Sequence, residues 1–123
     1  MRMMLVGAGA VGESIVKVMQ WRDPKGEWLE YVLVCDYDKA RAQEVVDKLS
    51  GDTRFEAEKV NATDREDMKN LIKAHKIDFV MDAAPPFASN MIFDAAFATG
   101  VNYGSMGTWS VPMDEPKLGL GIE

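Results

Sequence analysis

Three glycines near the amino end have a spacing that could bind an anion. The run GAGAVG matches the G-x-G-x-x-G fingerprint that holds the pyrophosphate of a dinucleotide. We expect Gly7 to make a tight turn, Gly9 to let the backbone approach the pyrophosphate, and Gly12 to let a helix pack on a strand. Ala10 and Val11 join the candidate site, because the N–H groups that open the following helix would hold the anion. A glycine run that only makes a turn is the alternative.

An acidic residue, Asp36, ends the second predicted strand 24 residues after Gly12. A carboxylate there accepts hydrogen bonds from the adenosine ribose hydroxyls and repels a 2′-phosphate, so the sequence predicts NAD as cofactor, with NADP less favoured. Arg41 and Lys39 complicate this prediction, because either cation could reach a phosphate from the next helix. Tyr37, directly after the aspartate, is included among the candidate cofactor-binding residues. A surface aspartate that merely ends a strand is the alternative.

Two further stretches follow predicted strands at the same edge of the sheet. Asn61 and Ala62 follow the third strand, at a position that flanks the adenine in this kind of fold. Ala84, Pro85 and Pro86 lie beyond the fourth strand, next to the crevice in which open α/β sheets bind their ligands. The small alanine would leave room for the nicotinamide ribose, and the two prolines would stiffen the wall. For both stretches a purely structural role is the alternative.

Five short apolar segments must position these residues. They alternate with stretches of helical period, which is typical of a parallel sheet with crossover helices. The predicted strands are residues 3–6, 31–35, 55–60, 77–83 and 101–103, the third being an outer strand. We therefore predict an α/β fold, a Rossmann-type doubly wound parallel sheet of about five strands in a single domain. Residues 1–123 would form the dinucleotide-binding domain, with the substrate and catalytic domain absent.

The helices are predicted from apolar spacing and from residues typical of helix ends. The first helix is expected to bury four apolar residues at helical spacing: Val11, Ile15, Val18 and Met19. Residues 21–28 read as a loop whose two tryptophans would pack on the edge of the domain. Thr63 and Glu66 match a capping box and predict the start of the third helix. The fourth helix is expected over 89–99, closed by Gly100, and from Gly104 onward only loop signals remain.

Composition excludes several classes of function. The 123 residues include 14 basic and 20 acidic residues, so the net charge of −6 disfavours nucleic acid as a partner. One cysteine and one histidine leave too few ligands for a Cys- or His-based metal site. No apolar run approaches the length of a membrane span, and we expect a cytoplasmic protein. Cys35 and His75 are interpreted as packing or capping residues, and no residue is assigned to catalysis.

Together with the glycine run and Asp36, the stretch DAAPPF at residues 82–87 makes the chain resemble a known family. It resembles the N-terminal nucleotide-binding domain of the saccharopine dehydrogenase family, which includes lysine 6-dehydrogenase-like proteins. Members commonly carry a similar proline-containing turn and then a strand similar to TGVNY at residues 99–103. Many then have an aspartate where Gly104 stands. Members are longer than this chain, and their C-terminal part forms the substrate domain, much of the dimer contact and the catalytic residues.

The resemblance implies the NAD(P)-binding domain of an oxidoreductase. In the full-length enzyme, hydride would pass between the nicotinamide and an amino-acid C–N centre. Whether this chain alone is an enzyme stays open, because it lacks a substrate domain. The alternative is a stand-alone nucleotide-sensing regulatory module without catalysis, although the two prolines after the fourth strand count against it. Besides the dinucleotide, the expected partners are a missing substrate domain or a second copy, which would bind an apolar patch: Phe87, Met106, Trp109, Val111 and Met113.

Overall fold

Five parallel strands form one sheet in the computed structural model, which describes residues 1–105. The strands are β1 (Arg2–Val6), β2 (Tyr31–Asp36), β3 (Phe55–Lys59), β4 (Phe79–Asp82) and β5 (Asn102–Ser105). The helices are α1 (Ala10–Arg22), α2 (Lys39–Asp47), α3 (Arg65–Ala74) and α4 (Ser89–Thr99), and a 3-10 turn, Pro86–Ala88, precedes α4. The strand order is β3-β2-β1-β4-β5. Connections therefore diverge from the β1–β4 pair, as in a doubly wound sheet, and the fold prediction is confirmed.

Helices cover both faces of the sheet, so β1 is buried on both sides. Met4 and Val6 belong to one core cluster, whereas Met3 and Leu5 belong to the other. This two-sided burial is why the strand reads as an unbroken apolar run in the sequence. Strand β3 instead lies at one edge of the sheet, as predicted for an outer strand, and only its first residue, Phe55, is buried.

The buried face of α1 agrees only in part with the one predicted by apolar spacing, since Ile15 and Met19 pack against the core and the two valines do not. Val11 and Val18 are half exposed, and the fully buried side chain is that of Val16. The reason is Gly12, which lies so close to the turn after β1 that a Cβ there would stand 1.9 Å from the carbonyl oxygen of Gly7. This close approach fixes the rotation of the helix, and Val16 follows one turn later on the same face.

Two expectations about the following segment were wrong. Helix α1 continues to Arg22, so Trp21 belongs to the helix and not to the loop. Trp21 is 76% exposed and Trp28 is 45% exposed, so neither packs tightly on the domain edge. The loop is instead organised by the buried carboxylate of Asp23, which accepts hydrogen bonds from the three successive backbone N–H groups of residues 27–29.

Local polar contacts set other boundaries. Asp64, and not Thr63, caps α3, because its Oδ1 accepts hydrogen bonds from the N–H groups of Glu66 and Asp67. The Thr63 hydroxyl and N–H both donate to Asn61 Oδ1 instead.

Two more boundaries are the end of α4 and the end of β5. Gly100, at a φ of 73°, ends α4 in the left-handed conformation as predicted. Strand β5 extends to Ser105, two residues beyond the predicted end.

The structure addresses the expectations about membrane spans, metal sites and the apolar patch only for the residues that it describes. Within residues 1–105, no helix is long and apolar enough to cross a membrane, and no cluster of side chains has the composition of a metal site. Four members of the predicted apolar patch lie outside the described residues: Met106, Trp109, Val111 and Met113.

Candidate functional site

The glycine-rich turn combines two tight positions with one open position. Gly7 has a φ of 108°, and a Cβ there would lie 2.6 Å from the carbonyl oxygen of Ala83. Gly12 is equally constrained by its approach to β1. Gly9 differs, because its φ of −82° suits any residue and a Cβ there would meet no atom within 4 Å. Two glycines are therefore required by the packing of the chain, whereas the space beside Gly9 is left open.

The amino end of α1 opens onto that space. Gly9 is the N-cap residue and no side chain caps the helix, so the N–H groups of its first turn keep their hydrogen-bonding capacity. Ala10 and Val11, which carry two of these groups, are exposed. Such an end carries partial positive charge and favours an anion. The negative charge of Glu13 in the first turn is balanced by Lys17 and Lys48, whose hydrogen bonds lower the pKa of its carboxyl.

Asp36 joins the end of β2 to the glycine-rich turn. Its Oδ2 accepts a hydrogen bond of 2.8 Å from the Ala8 N–H, and its Oδ1 accepts one of 3.0 Å from the Asp38 N–H. Each carboxylate oxygen can accept more than one hydrogen bond. The carboxylate is thus fixed in orientation beside the turn and keeps acceptor capacity for ligand hydroxyls.

A cavity of about 360 Å³ lies at the carboxyl ends of the strands, within the size range of small-molecule sites. It brings together seven of the predicted site residues: Gly7, Asp36, Tyr37, Asn61, Ala62, Ala84 and Pro85. Tyr37 is largely exposed, and Lys59 Nζ lies 5.6 Å from the centre of its ring.

A second, more open cavity continues along the turn and the start of α1, and its lining includes Gly9 and Ala10. Three predicted site residues line neither of these two cavities. Val11 is exposed beside the turn, Gly12 is packed on β1, and Pro86 begins the 3-10 turn.

Six residues that line the first cavity were not predicted as site residues: Val6, Arg41, Val60, Thr63, Phe87 and Ala88. Arg41 also lines the second cavity and so borders both. The sequence signal for it was its position two residues after Lys39 on the same helix, close to Asp36. Phe87 was assigned to an interaction patch, yet the 3-10 turn places it, largely exposed, at the cavity. An aromatic residue directly after two prolines that follow a strand is the signal that could have identified it.

Cys35 and His75 lie away from the cavity lining. The Cys35 thiol is fully buried, and burial raises its pKa, so the thiol stays protonated. His75 is the C-cap of α3, and its Nδ1 lies 3.0 Å from the hydroxyl of Tyr31, which begins β2 at the opposite end of the sheet. Both residues occupy structural positions.

Comparison with known proteins identifies relatives of the whole domain. Residues 3–111 match the family described as saccharopine dehydrogenase NADP binding domain. The chain is 28% identical over 111 residues to carboxynorspermidine synthase of Vibrio cholerae, a match that covers 84% of this chain and 26% of that protein. This chain therefore spans about a quarter of the length of that curated relative.

Solved structures show the same fold at low sequence identity. Saccharopine dehydrogenase (L-Glu forming) of Saccharomyces cerevisiae superposes with a TM-score of 0.71 at 16% identity, over 94% of this chain and 23% of that chain. UDP-glucose 4-epimerase of Stenotrophomonas maltophila, solved with bound NAD, gives a TM-score of 0.64 at 20% identity, over 88% of this chain and 37% of that one. These likenesses support the architecture described above.

Proposed function

The chain belongs to the saccharopine dehydrogenase NADP-binding domain family, and from this premise we propose that it binds an adenine dinucleotide across the β1–β4 crevice. The observation that carries the proposal is the contrast among the three glycines. Gly7 and Gly12 are required by packing, whereas Gly9 leaves open space in front of an uncapped helix end. A pyrophosphate is the part of a dinucleotide that fits such a space, because backbone N–H groups and a helix dipole both favour it.

The remaining site residues take their roles from their order along the edge of the sheet. Ala10 and Val11 would donate their N–H groups to the pyrophosphate, and the Asp36 carboxylate would accept the adenosine ribose hydroxyls. The adenine would lie among Tyr37, Asn61 and Ala62, where the exposed ring of Tyr37 can stack on it. Ala84, Pro85 and Pro86 would border the nicotinamide side of the crevice.

The choice between NAD and NADP depends on two neighbouring side chains of opposite charge. Asp36 disfavours a 2′-phosphate, and from this residue the sequence predicts NAD. Arg41 borders both cavities, and its guanidinium forms no ion pair within residues 1–105, whereas Lys39 lies 3.9 Å from Glu58. The family description names NADP. We propose that Arg41 binds the 2′-phosphate and that NADP binds at least as tightly as NAD.

The bound cofactor would supply hydride transfer, and the protein would supply binding and orientation. In the larger enzyme, hydride would pass between the nicotinamide and an amino-acid C–N centre. We propose that this chain corresponds to the dinucleotide-binding domain of such an enzyme, because it spans about a quarter of the curated relative. The alternative of a regulatory nucleotide-sensing module has no support from the relatives described above. A second copy as partner and a cytoplasmic location stay predictions.

Calorimetric titration of the chain with NAD and with NADP tests the proposal. We expect Asp36→Ala to weaken NAD binding about tenfold, since a charged hydrogen-bond partner contributes about 1.5 kcal/mol or more. We expect Arg41→Ala to weaken NADP binding by a similar factor and to leave NAD binding nearly unchanged. Arg22→Ala, which removes an exposed arginine at the far end of α1, is the control.

The outcomes separate the parts of this proposal. A wild-type chain that binds neither dinucleotide at millimolar concentration contradicts the proposed function. If NAD binds much more tightly than NADP, and Arg41→Ala changes neither affinity, the proposed role of Arg41 is wrong and the preference predicted from Asp36 is correct.

A further inference from the structure

Strand β4 ends in a buried carboxylate. Asp82 is only 1% exposed. Its Oδ1 accepts a hydrogen bond of 3.0 Å from the Ala84 N–H, and its Oδ2 accepts one of 2.7 Å from the Tyr103 hydroxyl. A buried carboxylate is costly unless its oxygens are hydrogen-bonded. These two donors, one in the turn after β4 and one in the next strand, therefore hold Asp82 in place.

The phenol that donates to Asp82 is itself fixed. Tyr103 lies in β5 opposite Val80, and Phe93 of α4 packs edge-to-face on its ring with the ring centres 5.3 Å apart. Burial and the neighbouring Asp82 carboxylate raise the pKa of Tyr103 to about 12. The phenol therefore stays protonated near neutral pH and continues to donate its hydrogen bond.

The second hydrogen bond of Asp82 connects this pair to the crevice. It fixes the N–H of Ala84. The preceding residue, Ala83, has its carbonyl oxygen 2.6 Å from the place that a Cβ on Gly7 would occupy. Ala83 also donates its own N–H to the Val6 carbonyl at 2.8 Å. The turn after β4 is thus tied to the ends of β4 and β1, beside the glycine-rich turn. Neither Asp82 nor Tyr103 lines the cavity described above.

We propose that Tyr103 is a positioning residue for the dinucleotide. Acting through Asp82, it keeps the turn at Ala84 and Pro85 in the conformation that borders the ligand. This inference rests on the proposed dinucleotide binding and adds a residue from outside the cavity. The hydroxyl of Tyr103 satisfies one oxygen of the carboxylate, so the other oxygen stays aligned with the Ala84 N–H. Without the hydroxyl, the Asp82 side chain loses this orientation and the turn loses its anchor.

The test compares two tyrosines that each lose one hydroxyl. Tyr103→Phe removes the donor to Asp82, and Tyr31→Phe removes a buried hydroxyl that lies 3.0 Å from His75 Nδ1 at the opposite end of the sheet. Both variants lose one side-chain hydrogen bond, so both are expected to melt at lower temperature. We expect only Tyr103→Phe to weaken the binding of NADP, by about three- to tenfold, in calorimetric titrations.

A second variant covers the case in which Tyr103→Phe does not fold. Asp82→Leu keeps the approximate size of the side chain but offers no acceptor to the Ala84 N–H or to the phenol. We expect it to weaken NADP binding to a similar degree, and less so the binding of adenosine 2′,5′-bisphosphate, which carries no nicotinamide.

The possible results distinguish this inference from the proposed function. If the wild-type chain binds no dinucleotide, the proposed function fails and the inference fails with it. If the wild-type chain binds NADP, and Tyr103→Phe and Tyr31→Phe then match each other in affinity, the positioning role is wrong and dinucleotide binding stands. Unchanged NADP affinity in a folded Asp82→Leu variant contradicts the positioning role in the same way.

Discussion

Replacing Gly9 and Gly12 in turn by alanine separates ligand binding from folding at one short turn. In Gly12→Ala the new Cβ would lie 1.9 Å from the Gly7 carbonyl oxygen, whereas real Cβ atoms essentially never lie within 3.0 Å of such a neighbour. Backbone atoms must therefore move by about an ångström, and overpacking of this kind costs about 3 kcal/mol. That is a large fraction of the stability of a small domain, which is about 5–15 kcal/mol.

Gly9→Ala is expected to behave in the opposite way. The φ of Gly9 is −82° and its Cβ would meet no protein atom within 4 Å, so the change in stability should stay within about 1 kcal/mol. The same Cβ occupies the space in front of the α1 amino end, and an anion held by those N–H groups could not approach. We expect the affinity for either dinucleotide to fall by at least about tenfold, which corresponds to 1.4 kcal/mol.

Two measurements on the same samples check this pair of variants. Thermal or urea unfolding reports stability, and calorimetric titration with NAD and NADP reports affinity. The reasoning predicts a stable Gly9→Ala variant that binds weakly and a destabilised Gly12→Ala variant. A Gly9→Ala variant that binds as tightly as the wild-type chain would refute the assignment of this space to the pyrophosphate. Strong destabilisation by Gly9→Ala would instead show that the space has a structural role.

Three further predictions concern polar groups that hold the fold. Asp23→Ala should lower the melting temperature by several degrees, because three loop N–H groups lose their acceptor; limited proteolysis within residues 24–29 should also become faster. Hydrogen bonds from Arg54 lower the pKa of Asp52 from 3.8 to about 2. The Asp52 carboxylate should therefore contribute about 1–2 kcal/mol to the free energy of unfolding above pH 4, allowing for solvent screening, and this contribution should be lost as the pH falls towards 2. In urea unfolding, the stability of Asp52→Asn should consequently depend less on acid pH than that of the wild-type chain. The pKa of Tyr103 is raised from 10 to about 12, so the contribution of its hydroxyl to the stability of the fold should be intact below pH 10 and lost as the pH rises to 12. The stability difference between wild type and Tyr103→Phe should shrink over that range.

The sheet was predictable because its strands are buried on both faces. A strand such as β1, with each residue from Met3 to Val6 at most 1% exposed, has to be a continuous apolar run. The same burial makes β2 recognisable in the sequence as an apolar run up to Asp36, where the chain leaves the core. The edge strand β3 was weaker in the sequence for the converse reason, since only its first residue, Phe55, is buried. Burial on both sides thus explains which strands the sequence shows clearly.

Helix orientation and helix caps were less predictable, because tertiary contacts decide them. The apolar spacing of α1 correctly indicated that Ile15 and Met19 pack against the core. It also included Val11 and Val18, but the close approach of Gly12 to Gly7 turns the helix so that Val16 is buried instead. At the start of α3, Thr63 and Asp64 are both good caps in isolation. The competing hydrogen bonds from Thr63 to Asn61 leave Asp64 as the cap. A sequence pattern contains both candidates and cannot rank them.

The same distinction applies within the candidate site. Anion binding by a glycine-rich turn uses backbone groups, so its signature is local and survives in six consecutive residues. The proposed discrimination at the 2′ position would depend instead on where two side chains, Asp36 and Arg41, lie relative to each other, and only the structure shows that both line one cavity. The support of the turn after β4 depends on the pairing of β4 with β5, which brings together Asp82 and Tyr103 across 21 residues of sequence. The longer the chain separation of the groups that act together, the less of their function can be predicted before the strand order is known.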